Sequence, residues 1–263
     1  MKNPLLSLAP SDLRALADAL VAGRLAPPYS QLSLQRVVNS SLADSLAGGL
    51  LELAAFGISP SGLSHVLELL ADSAAMRPRL EDVVELVTTG PDSAAPAGRD
   101  TSVVVRDLFH NAQDSVTVVG YAVHQGQRVF EALAQRMTDR PHLHVRMYLD
   151  IQRNPGDTSA STELVARFAH NFRTRQWPVG SRLPEVFYDV RSLECERSKM
   201  AALHAKCVVV DNAELFISSA NFTEAAQYRN IEVGLLLRSP TIADRLVSFL
   251  NESVGAGVLK QAF

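Results

Sequence analysis

Between Leu203 and Leu237 the chain reads LHAKCVVVDNAELFISSANFTEAAQYRNIEVGLLL. His204 and Lys206 lead this stretch, Asp211 follows, and Ser219, Asn221 and Glu232 come after. Those side chains suit displacement at phosphorus through a covalent phosphohistidine. A neutral imidazole attacks, while Lys and Asn hold the equatorial oxygens as charge gathers on them. A carboxylate orients the ring and steadies the imidazolium. Such chemistry needs no metal, because lysine and imidazole supply the positive charge, and the expectation is a site without a cofactor.

The elements that must position these groups are legible in the same text. Apolar and polar residues alternate around His204, which predicts a strand presenting His204 and Lys206 on one face. Asp211-Asn212 is a turn signal, and Leu215-Phe216-Ile217 a short apolar strand. That predicts a hairpin whose second strand delivers Ser218, Ser219 and Asn221 beside the first. Glu232 is expected at the start of a third strand, Val233 to Leu237.

With these residues in place, the segment resembles the HKD motif of the phospholipase D superfamily, H-x-K-x4-D-x6-G-S-x-N. His204, Lys206, Asp211, Ser219 and Asn221 match it, and Glu232 matches the downstream acidic position of the bacterial nuclease members. Ser218 departs from the pattern, standing where the family usually has Gly. The turn survives that change if the backbone keeps φ below zero; in the left-handed region Ser would cost about 1 kcal/mol. The resemblance implies two histidines, nucleophile and general acid, yet only one motif copy is present. It therefore implies a homodimer that brings two His204 side chains together across a two-fold axis. His124 as an acid from the same chain is the alternative. The resemblance also implies that Ser219 assists, that Asp211 braces the turn and that Glu232 orients the nucleophilic ring.

The chain has 263 residues and a formal net charge of −3, which argues against avid, indiscriminate binding of nucleic acid. Cys195 and Cys207 are too few for a disulfide framework or a zinc site. No signal-peptide core follows Met1–Pro4 and no apolar run reaches bilayer length, so a cytoplasmic protein without membrane contact is expected. From Leu164 to Pro184, Arg167, Arg173, Arg175 and Arg182 interleave with Phe168, Phe172 and Trp177, without an acidic residue. Arg173, Arg175 and Trp177 are thus candidate contacts for phosphates and stacked bases. The alternative is a helix with its aromatics facing the core. Tyr121, at the end of an apolar strand, is a candidate phosphate donor or simply packing.

Residues 1–82 read as a helical module for packing or partner docking, punctuated by Gly23, Pro27-Pro28 and Gly57. Loop chemistry follows from Thr88 to Gly98. Residues 83–263 then alternate strand and helix, which predicts an α/β fold, an α-β-α sandwich around a mixed sheet; the family resemblance implies the same. Asp150 to Ala160 reads as a flexible loop at the rim of the site. The order of parts along the chain also resembles the phospholipase D-like component of DISARM, a multi-gene bacterial defence against phages. That implies a nuclease, with DNA favoured, and other defence-system proteins as partners. A non-catalytic subunit that grips nucleic acid or a partner is the rival. A phospholipase is a third reading, which requires a hydrophobic cleft near residues 150–185.

Overall fold

The computed structural model describes residues 3–38, 43–76, 78–90 and 99–263. Residues 91–98 of the expected loop lie outside the described residues. The chain divides into two compact units, Met1–Arg79 and Leu80–Phe263.

The first unit is helical. Helix Pro10–Val21 starts with Pro at its first turn, where a missing N–H costs nothing. Ala9 is its N-cap residue. Gly23, at φ 68°, follows the helix end. Helices Ala43–Ala55 and Pro60–Ala75 follow, the latter capped by the Ser59 hydroxyl, which accepts from Gly62 N–H. Leu13, Leu16, Leu46, Leu50, Leu63 and Leu67 form the core of this unit. Each fully buried leucine contributes about 1.5–3 kcal/mol of transfer free energy.

The second unit is built on an eight-stranded mixed sheet. Its strands are β1 (Val84–Thr89), β2 (Ser115–Gly120), β4 (His144–Leu149), β5 (Glu185–Asp189), β6 (Cys207–Val210), β7 (Glu214–Ser218), β9 (Glu232–Arg238) and β10 (Leu259–Gln261). A separate two-stranded ribbon pairs β3 (Val123–His124) with β8 (Phe222–Thr223). The large sheet runs β1-β9-β7-β6-β2-β4-β5-β10. Only β2–β4 and β4–β5 are parallel, each joined by a helical crossover.

All four residues of β6 are buried, and their parity sorts them between two cores. Val208 and Val210 join Val116, Val118, Phe130 and Trp177 on one face. Cys207 and Val209 face Ala243 and Leu250 of helix Pro240–Gly255 on the other. The result is the expected α-β-α sandwich. Strand β6 lies at its centre, buried on both faces, which is why its sequence is an unbroken apolar run. Burial pushes the Cys207 thiol up to about 11, so it is an inert packing group.

Candidate active site

The hairpin forms around Asp211 and Asn212, at φ 51° and 49°. Ala213 N–H donates to Val210 O, giving the type I′ geometry that suits the twist of paired strands. Asp and Asn tolerate the left-handed region better than other residues with a side chain. The Asp211 carboxylate accepts from the N–H groups of Gln113, Asp114 and Ser115, at 2.9, 2.7 and 2.8 Å. It ties the hairpin to the start of β2. It stands at the far end of β6 from Lys206, five residues or about 16 Å away at strand rise, outside any cluster at His204.

At the other end of β6 the expected strand stops short. Residues 201–206 are irregular, and His204 is exposed in that segment rather than seated on a strand. His204 and Lys206 nevertheless converge: Lys206 Nζ lies 3.4 Å from His204 Nδ1 and donates to His204 O at 2.8 Å. Tyr121, just past β2, packs its ring on the imidazole with centroids 4.5 Å apart. The Lys206 ammonium sits 5.4 Å from the centre of the same ring, within range of a cation–π attraction. Tyr121 is therefore a neighbour of both principal residues.

The second strand of the hairpin reaches the same end. Ser218 N–H donates to Lys206 O at 3.0 Å, and Ser218 Oγ accepts from Ala220 N at 3.0 Å. Ser218 is not among the residues with positive φ, so the departure from Gly carries no backbone strain. Ser219 donates to Glu232 Oε2 and accepts from Val233 N–H at 3.1 Å. Glu232 is 9% exposed and also accepts from Asn230 Nδ2 at 3.2 Å. Within this chain the Glu232 carboxylate thus holds Ser219 and Asn230. Strand β9 pairs with β7 as far as Ser218 and Gly234, and Ser219 N–H donates to Val233 O at 3.0 Å, which brings Glu232 beside Ser219. Asn221 is half-buried just before β8, whose Thr223 pairs with His124 in the ribbon.

The candidates from the arginine-rich stretch do not join this cluster. Trp177 is 1% exposed, stacked on Phe172 and tilted against Phe130, and its indole N–H donates to Arg182 O at 3.0 Å. That corrects its reading as a stacking platform, since no ring face is open to a base. Arg182 is spent on the carbonyls of Pro141 and Leu143. Arg173 lies over the Phe263 ring, 4.5 Å from its centre. Arg173 and Arg175 are both exposed on the π-helical turn Phe172–Gln176.

Two residues beside the site were not singled out in the sequence. Asp150 directly follows β4 and is 8% exposed. Its Oδ1 accepts from Leu203 N–H at 3.0 Å. Its Oδ2 makes no hydrogen bond of ordinary geometry, although Gln152 is close enough to favour ionisation. Burial dominates and holds this carboxyl above the usual range. Arg153, also 8% exposed, bonds Leu193 O, Asp157 O, Ser159 O and Ser161 Oγ. The rim loop expected to be flexible is thus tied to a buried guanidinium. The available signal was position: a polar residue at the carboxyl end of a parallel strand, where α/β sheets place their sites. Tyr121, Asp150, Arg153 and Arg197 line a cavity of about 380 Å³. A second cavity on this stretch has a mixed lining, Asp157, Arg167 and Asn171 together with Ile151, Leu164 and Phe168.

Residues 105–253 match the family model described as "Cardiolipin synthase, PLD-like domain". The chain belongs to the PLD-like family. This phospholipase D-like chain is also similar to the DISARM protein DrmC of Bacillus paralicheniformis, 30% identical over 154 residues. That match covers 59% of this chain and 56% of the relative, so it spans little more than half of the relative's length. Among solved structures, the phospholipase D family member Nuc of Salmonella typhimurium is 18% identical, with a TM-score of 0.43. The likeness covers 68% of this chain and 96% of Nuc. NucT of Helicobacter pylori is 12% identical with the same score, over 65% of this chain and 96% of its own. Among the described residues, no helix is long and apolar enough to cross a membrane.

Proposed function

We propose that this PLD-like chain is a phosphodiesterase, a nuclease acting on DNA through a phosphohistidine at His204, within a bacterial phage-defence system. The carrying observation is the convergence of His204 and Lys206, 3.4 Å apart, with the Ser218–Asn221 segment held beside them by the bond from Ser218 N to Lys206 O.

His204 Nε2 attacks phosphorus, and the bond from phosphorus to the leaving oxygen breaks. That oxygen takes a proton from the partner subunit's His204, which acts as general acid. The same imidazole then removes a proton from water, whose oxygen attacks the phosphohistidine and releases His204. Lys206 and Asn221 hold the non-bridging oxygens, and Ser219, kept in place by Glu232, assists from the adjacent strand.

Without substrate, Lys206 rests against His204 Nδ1 and the His204 carbonyl. An ammonium there favours a lone pair on Nδ1, which puts the proton on Nε2 and silences that nitrogen. A phosphate that draws Lys206 onto its own oxygens frees Nδ1 to carry the proton and Nε2 to attack.

Similarity to the DISARM relative supports partner proteins from the same defence system, and the N-terminal helical unit is the proposed docking module. Cleavage of fluorescent single- and double-stranded DNA in EDTA, comparing wild type with His204→Asn, tests the proposal. Cleavage lost in the variant supports it; equal activity in both chains, or none in either, sinks it.

A further inference from the structure

We infer that Asp150 is a positioning residue for His204, holding the irregular segment that carries the nucleophile. This rests on the reading of His204 as the attacking group. Because His204 lies off the end of β6, no sheet ladder fixes it. The segment 201–206 is anchored through Ala201 N–H to Arg191 O at 3.3 Å, Leu203 N–H to Asp150 Oδ1 at 3.0 Å, and Lys206 O to Ser218 N–H at 3.0 Å. The middle anchor is the only one of these made by a side chain, and it grips the residue immediately before His204.

Asp150 is placed to do this from a rigid support. It follows β4, which pairs with β2 on one side and β5 on the other. Its own N–H donates to Gly120 O at 3.1 Å, and Gly120 precedes Tyr121, whose ring packs on His204. One residue thus ties both walls of the imidazole: the backbone of Asp150 holds the Tyr121 side, and its carboxylate holds the Leu203 side. Gly120 is itself tightly fitted, since a Cβ there would stand 2.8 Å from the Phe222 ring. Glu232, the other carboxylate of the site, is engaged by Ser219 and Asn230 and is not available for this role.

The test compares Asp150→Ala, which removes the acceptor, with Asp150→Asn, which keeps an oxygen for Leu203 N–H. Substrates are bis(4-nitrophenyl) phosphate and a single-stranded DNA oligonucleotide, with His204→Asn as control. Rates are normalised to the folded fraction of each preparation, read from its thermal unfolding amplitude, so a misfolded fraction does not pass for slow chemistry. A displacement near 1 Å costs about 100-fold in rate. Asp150→Ala should therefore lose about 30- to 100-fold in kcat per site with KM within about twofold, and Asp150→Asn should stay within about fivefold of wild type. Asp150→Ala retaining kcat, a loss confined to KM, or equal damage in both variants overturns the assignment. If Asp150→Ala does not fold, Asp150→Glu replaces it. One added methylene displaces Leu203, so the same fall in kcat is expected, and an unchanged kcat overturns the assignment. A wild type that cleaves neither substrate, or a His204→Asn variant that keeps its activity, overturns the nucleophile reading first and this inference with it.

Discussion

Replacing Asp211 separates bracing from catalysis within one short motif. Its carboxylate accepts three backbone N–H bonds from Gln113, Asp114 and Ser115. Two of these donors are exposed and rehydrate when the carboxylate is removed, costing about 0.5 kcal/mol each; the part-buried Ser115 N–H costs about 1.5 kcal/mol. Ala also tolerates φ 51° poorly, which adds about 1 kcal/mol. Asp211→Ala should therefore lose about 3 to 4 kcal/mol. For a unit of this size that lowers Tm by roughly 6–16 °C. Asp211→Asn keeps one acceptor and tolerates the left-handed region, so it should lose about half as much. Because Asp211 lies about 16 Å along β6 from Lys206, kcat per folded site should stay within about twofold of wild type at a temperature where both are folded. Thermal melting and kinetics normalised to the folded fraction of one preparation measure the two quantities. An unchanged Tm with activity lost would refute the bracing role and return Asp211 to the catalytic group.

Three further outcomes are expected. Glu85 is bonded twice by Arg99 and once by Arg238; these cations, led by the Arg99 hydrogen bond, lower its carboxyl from 4.5 to about 2. A depressed carboxylate stabilises the fold above its unfolded value and stops doing so as pH falls through its folded one. Glu85→Gln should therefore cost about 1–2 kcal/mol at pH 7, with a gap that narrows in urea titrations from about pH 4.5 toward pH 2; a gap independent of pH contradicts the ion-pair account. Ser218→Gly, which restores the usual family residue, should lower stability by about 0.5–1 kcal/mol, because the backbone there needs no left-handed freedom and the Oγ bond to Ala220 is lost; a rise in Tm would show strain at Ser218. Trp177→Ala should lower stability by about 3–5 kcal/mol, whereas retardation of DNA by Trp177→Phe should match wild type. Weaker DNA binding by a fully folded Trp177→Phe would revive the stacking role.

The local chemistry was legible from residues 203–237 alone. Residue types, the apolar runs of β6 and β7 and the Asp-Asn turn located the hairpin, although His204 and Lys206 lie just before β6 and Ser219 and Asn221 just after β7. These depend on steric and hydrogen-bonding preferences that act over a few residues. Alternating strand and helix likewise announced the layered α/β unit, because each apolar face must be covered. The Arg-aromatic stretch was ambiguous, since a base-stacking surface and an amphipathic helix share one pattern. Only the packing of Trp177 against Phe130 and Phe172 chose the core. The partners of each carboxylate were equally hidden. Glu232 meets Ser219, Asp211 meets residues 113–115, and Asp150 meets Leu203, because strand order and register bring together residues 13, about 97 and 53 positions apart. Sequence periodicity tells which way a side chain points, but long-range strand pairing decides what stands opposite it. The types and spacing of the candidate groups were therefore written in the chain, and the tertiary fold decided which of them gather at His204 and which only hold the scaffold in place.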